Sequence, residues 1–132
     1  MLKELNNYIF NLIKSNININ NTLNYYYIFI PKNVKIPYLY LYNTEIEHKN
    51  IFNKNIFCVE NCINIISEYT NINELIENIL KILMDNTLIN TLIKDKYQIL
   101  DINIINIINK YMVEATSKVQ ATITFKVKLL VL

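Results

Sequence analysis

The chain contains no glycine, no arginine and no tryptophan, and only two alanines, two prolines, two cysteines and one histidine in 132 residues. Each scarcity closes something. Without glycine, turns and left-handed backbone positions fall to asparagine and aspartate, the next most tolerant residues, so asparagine acts as punctuation. Without arginine, the 13 cationic residues are all lysines, and against 11 acids they leave a net charge of +2. They are scattered, so no basic face forms and nucleic acid is not an expected partner. Cys58 and Cys62 lie too close together to staple a distant loop, and no leader with a basic start and an apolar core precedes them. An intracellular, reducing compartment is expected, cytoplasm or nucleus. One histidine and two cysteines are too few for structural zinc, which takes four such ligands, and no metal or cofactor is expected. No apolar run approaches the ~18 residues of a membrane-spanning helix, so no membrane partner is expected either.

What is present is dominated by asparagine and isoleucine, the bias of an AT-rich genome. The length suits one domain with a single core. Leu2, Leu5, Ile9, Leu12 and Ile13 share one side of residues 2–14, which predicts a helix there. Residues 16–20 and 23–30 predict a hairpin turning at Asn20-Asn21, and Tyr38 to Tyr42 a further strand rich in aromatic residues. Residues 72–85 carry a wide apolar stripe of Ile72, Leu75, Ile76, Ile79, Leu80 and Leu83, with Asn71 and Glu74 spaced as a capping box. That width predicts a central helix lying across a sheet. Residues 87–94 suggest a short helix, and Asn103, Asn106 and Asn109 set among isoleucines suggest another over 102–114, capped by Asp101. Val119 to Leu132 alternates strictly, which predicts a strand.

The run from His48 to Cys58 holds the only histidine and one of the two cysteines, with Asn50 two residues after the histidine. It resembles the active-site run of ubiquitin-conjugating enzymes, in which His-Pro-Asn is followed, ten residues after the histidine, by a cysteine. The flanks extend the likeness. Ile72 to Asp85 looks like the helix after that cysteine, and Pro31, Pro37, Tyr42, Thr44 and Ile46 resemble the run leading to the histidine. The sequence is thereby identified as a divergent, reduced member of that family. The fold implied is α+β, an antiparallel meander packed on a central helix with flanking N- and C-terminal helices. Residues 1–116 would form the reduced domain, and 117–132 an extra strand or tail docked beside residues 16–30.

The function this implies is an enzymatic one, transfer of ubiquitin or a ubiquitin-like protein. Cys58 would carry the modifier as a thioester, received from an activating enzyme and passed to a lysine or a ligase. Asn50 would donate an amide N–H to the oxyanion of the discharge step, and His48 would brace the loop. Lys3, on the first helix, would help to dock the activating enzyme, and Ser67 matches a serine of the ligase-binding loop. Cys62 reads as packing. The chain departs from the family at Lys49, which stands in place of proline, in a shortened interval before His48, and in the loss of the acidic loop after the central helix. These departures favour an alternative, a non-catalytic variant acting as a binding scaffold. A third reading is an Asn/Ile-rich structural protein whose likeness to the family is coincidence.

Overall fold

Helix α1 spans Leu2–Lys14 and buries Leu5, Asn6, Ile9 and Ile13 along one stripe, leaving Lys3, Asn7, Asn11 and Lys14 exposed. The computed structural model describes residues 1–16, 24–27, 36–68, 70–111 and 118–132. The proposed hairpin turn at Asn20-Asn21 and Pro31 lie outside the described residues. After α1 come β1 (Asn24–Tyr27), β2 (Tyr38–Ile51), β3 (Lys54–Glu68), helix α2 (Ile72–Leu83), a single 3-10 turn (Asn86–Leu88), β4 (Leu92–Ile93), β5 (Tyr97–Tyr111) and β6 (Lys118–Val131). The strands form one sheet in the order β1-β2-β3-β6-β5-β4. Every pairing is antiparallel except that of β1 with β2, which is parallel. The antiparallel strands curl into a half-barrel.

Both helices pack on the same face of this sheet. Leu39 and Leu41 of β2, Val59, Ile63 and Ile65 of β3, and alternate residues of β6 from Val119 to Leu129 meet the apolar stripes of α1 and α2 in one core. This is a two-layer solution, in which each layer covers the other's apolar surface. Asn71 stands at the N-cap of α2, but its side chain makes no capping hydrogen bond, so the expected capping box is not formed. At the other end of α2, Asp85 starts the 3-10 turn by accepting from the Thr87 backbone N–H at 3.0 Å. That bond holds the Asp85 carboxyl below its ordinary pKa.

The architecture differs from a conjugating-enzyme domain in three places. First, no helix follows α2 beyond the 3-10 turn among the described residues, and the segment expected as a C-terminal helix is β5. The reason is visible in its register. Pairing with β6 slips between Ile99 and Asp101 and again between Ile104 and Asn106, so that Ile99, Ile102, Ile104 and Ile107 fall opposite Leu129, Val127, Phe125 and Ile123. Two bulges thus space the helix-facing residues by three, two and three, close enough to a helical repeat to mimic one.

Second, the short helix expected over 87–94 is the 3-10 turn followed by β4. Third, residues 118–131 do not flank the sheet beside residues 16–30. They form β6, inserted between β3 and β5 and paired along its length with both. Its 14-residue alternation matches the lengths of its neighbours, 15 residues each, so an interior place satisfies both of its backbone edges. The meander is corrected too, because residues 24–27 run parallel to β2.

Turns bear out the burden placed on asparagine only in part. Left-handed backbone occurs at Asn53, Asn90 and Asp95, as a glycine-free chain requires, but also at Phe52 and Lys94. Phe52 and Asn53 form the two-residue turn between β2 and β3, where positive φ at both central positions matches the twist of the strands.

Candidate functional site

The run from His48 to Cys58 is the tip of the β2–β3 hairpin, and cross-strand register decides what it brings together. His48 lies opposite Phe57, Asn50 opposite Asn55, and Glu47 opposite Cys58. Directly opposed residues share a face and successive residues alternate, so His48 and Asn50 project on the helix-bearing face while Cys58 projects on the other. The ring of His48 stacks on Phe57 with centroids 4.6 Å apart, and its Nε2 is 2.8 Å from Asn55 Oδ1. A sheet therefore separates the proposed nucleophile from both residues expected to serve it. The ten-residue offset places His48 and Cys58 one step out of register across a turn, a relation any tight hairpin of this length produces.

The remaining candidates are dispersed. Lys3 is exposed on α1. Ser67 ends the helix-bearing row of β3 opposite Val119; it is buried, and among the described residues its Oγ has no hydrogen-bond partner. Beside it, a depression of about 400 Å³ lies between Ile36 and Pro37, the end of β3, and the first turns of α2 at Asn71 and Glu74. An unpaired buried hydroxyl typically costs about 1 to 3 kcal/mol. Ser67→Ala is therefore expected to keep or raise thermal stability, by up to about 1 kcal/mol, in a denaturant melt. A fall of that size would show that the hydroxyl makes a bond essential to the fold.

Cys58 itself sits half-buried in a row of charge. Around it on the same face are Glu45, Glu47 and Lys49 of β2, Glu60 of β3, and Lys126 and Lys128 of β6, with Lys128 directly across from Cys58 and Lys126 across from Glu60. Thr44, in the β2 bulge, donates to Glu60 Oε2 at 2.8 Å. A shallow hollow of about 240 Å³ is lined by Glu47, Lys49, Ile51, Ile56, Cys58 and Lys128. Acids and lysines alternate across it, so it focuses no field of one sign.

Farther along this face the character changes to hydroxyl and aromatic. Tyr40 stacks on Tyr42 with centroids 5.8 Å apart, Asn64 Nδ2 donates to the Tyr40 hydroxyl, and Thr122 Oγ1 donates to Asn64 Oδ1. Cys62, expected as packing, is buried with its Sγ 3.5 Å from Thr124 Oγ1. Burial first, then the neighbouring Cys62, pushes the Tyr42 hydroxyl above its ordinary pKa. These contacts lock neighbouring strands together. Among the described residues, no three His, Cys, Asp or Glu side chains converge as metal ligands, and no helix is long and apolar enough to cross a membrane.

Sequence reasoning did not single out the polar chain on the helix-bearing face. Asn6 of α1 and Asn43 of β2 exchange amide hydrogen bonds of 2.7 and 2.9 Å, Asn43 also donates to Asn61 Oδ1 at 2.6 Å, and Asn61 donates to the Val59 carbonyl at 3.0 Å. In a chain where asparagine is everywhere, three more carried no signal.

No family model matches the sequence, and no curated protein matches it significantly. Among solved structures, a chain from the virion of a native gene transfer agent (GTA) particle is similar, with a TM-score of 0.72 and 7% identity, over 92% of this chain and 91% of that one. The fold, the separation of Cys58 from His48 and Asn50, and this similarity overturn the likeness to ubiquitin-conjugating enzymes. The transferase activity goes with it, as do ubiquitin, activating enzyme and ligase as partners and the alternative of a non-catalytic conjugating-enzyme scaffold.

Proposed function

We propose that this chain is a structural subunit of a phage-like particle and acts through its surfaces. The observation that carries the proposal is fold similarity to the gene transfer agent virion chain over nearly the full length of both. Sharing a fold does not by itself transfer a role, and the residues add their own support. The only histidine and the half-buried cysteine are held on opposite faces, and the polar side chains are spent on interstrand bonds. Exposed isoleucines gather on β2 and β5, at Ile46, Ile51, Ile105, Ile107 and Ile108, where neighbouring subunits would cover them. Both cysteines are free, which fits assembly in a reducing interior.

The test is co-purification. The full chain, tagged, is expected in nuclease-resistant particles banded on a density gradient and at one fixed location by gold-labelled electron microscopy. Its gene's deletion is expected to leave incomplete particles. Particles of normal form and composition that never contain the chain would end this reading.

A further inference from the structure

Among the described residues, the sheet is open along part of both sides. β1 covers β2 only from Tyr38 to Leu41. From Asn43 to Ile51, among the described residues, no strand lies along the outer side of β2. On the far side β4 pairs with β5 at Tyr97 and Gln98, and Asn90 and Thr91 extend that pairing to both backbone groups of Ile99, which leaves β5 from Asp101 on without a partner strand on that side among the described residues. Natural edges deter pairing with bulges and charge, and the two bulges of β5 blunt the part between Ile99 and Asn106. Beyond them Asn106–Tyr111 runs regular. That stretch exposes Ile107 by 40% and Ile108 by 48%, one on each face, while the open part of β2 exposes Ile46 and Ile51 by 44% each. An open strand presents N–H and C=O groups that an added strand satisfies, with its side chains supplying the fit.

Direction and charge say which strand is added. The order β2-β3-β6-β5 alternates in direction, so β2 and β5 run opposite ways. A second copy laid beside the first in the same orientation therefore brings its β2 antiparallel to the first copy's β5. The two edges are chemically unlike. β2 exposes Glu45 and Glu47 before its single Lys49, a net negative edge, whereas Asn106–Tyr111 holds Lys110 and no acid. A register that sets Lys110 against either glutamate also keeps the faces in phase, with Ile107 on the helix-bearing side, where Ile46 also lies, and Ile108 on the other.

We infer that a second copy of this chain docks here head to tail, the β2 edge Glu45–Ile51 of one protomer, beyond the bulge at Thr44, adding to Asn106–Tyr111 of the next. Such a contact is heterologous, so every copy keeps one unfilled edge of each kind until a ring closes or a filament grows. The inference deepens the particle-subunit reading by naming the partner of these edges.

The test pairs two variants of the full chain, Ile46→Lys with Glu47→Lys on β2, and Ile107→Lys with Ile108→Lys on β5. By light scattering after gel filtration, the unaltered chain is expected at multiples of 15.7 kDa. Each variant alone is expected at the monomer mass, with the far-ultraviolet dichroism of the parent, since all four positions are exposed. Their equimolar mixture is expected to give a two-chain species, because each supplies the edge the other lacks. A parent that stays monomeric at every concentration, a variant that keeps the parent's mass, or a mixture that stays monomeric would overturn the inference. If the lysine variants fail to fold, the single exchanges Glu47→Lys and Lys110→Glu take their place, each expected to weaken association and together to restore it; no restoration overturns it equally. A chain that associates but is absent from particles would sink the particle reading alone, and a monomeric chain found in particles would sink only this contact.

Discussion

Deleting residues 118–132 is expected to abolish the folded state, leaving a chain without a cooperative thermal transition and without dispersed amide resonances. β6 joins β3 to β5, and its removal separates the sheet into two parts that share no other strand pairing. Val119, Ala121, Ile123, Phe125, Val127 and Leu129 are all 4% exposed or less. Burying each of the larger ones contributes about 1.5 to 3 kcal/mol, a sum comparable to the 5 to 15 kcal/mol by which most domains are stable at all. Within the intact chain, Phe125→Ala is the graded version, with a loss of about 3 to 5 kcal/mol in urea unfolding. A truncated protein that melts sharply near the parent's Tm would mean that β6 is an accessory.

The second large effect is expected at Asn43. This residue ties α1 to the sheet through Asn6 and continues to Asn61, which is fully buried, as is nearly all of Asn6. Asn43→Leu takes a hydrogen-bond partner from each of those buried amides. Each lost partner costs about 1 to 3 kcal/mol, so the variant is expected to lose about 2 to 4 kcal/mol and on the order of 10 °C in Tm. The asymmetry of buried polar groups supplies a control. Replacing all three, Asn6→Leu with Asn43→Val and Asn61→Leu, removes donors and acceptors together and is expected to recover much of the loss. If Asn43→Leu melts with the parent, the three amides are not a coupled unit.

The parts of this fold that were legible in the sequence are those governed by one undisturbed period. Residues 2–14 and 72–83 read as amphipathic helices because nothing interrupts the three-to-four spacing of their apolar residues. The alternation from Val119 onward is found as a strand because β6 carries no bulge against β3. β5 failed for the opposite reason. Its bulges shift the inward face twice, and the isoleucines that follow the shifts acquire a helix-like spacing that no single-sequence period separates from a real helix. The candidate site misled through a different limit. A spacing along the chain fixes distance but not side, and His48 and Cys58 are near in sequence on either face of one hairpin.

The place of β6 also imposes an order in time. β2 and β3 are joined by a two-residue turn and can zip together as soon as both exist, whereas the bonds from β3 to β6 span intervals such as 58 and 62 residues. Until β6 is available, one side of β3, with Val59, Ile63 and Ile65 along it, has nothing to pair with, and β5 has no site to dock. Contacts so distant make folding slow relative to helical domains. A chain emerging from the ribosome at roughly 5 to 20 residues per second passes several seconds with that aliphatic edge bare. Yield in a host is therefore governed less by the stability of the finished sheet than by what shields β3 during the wait.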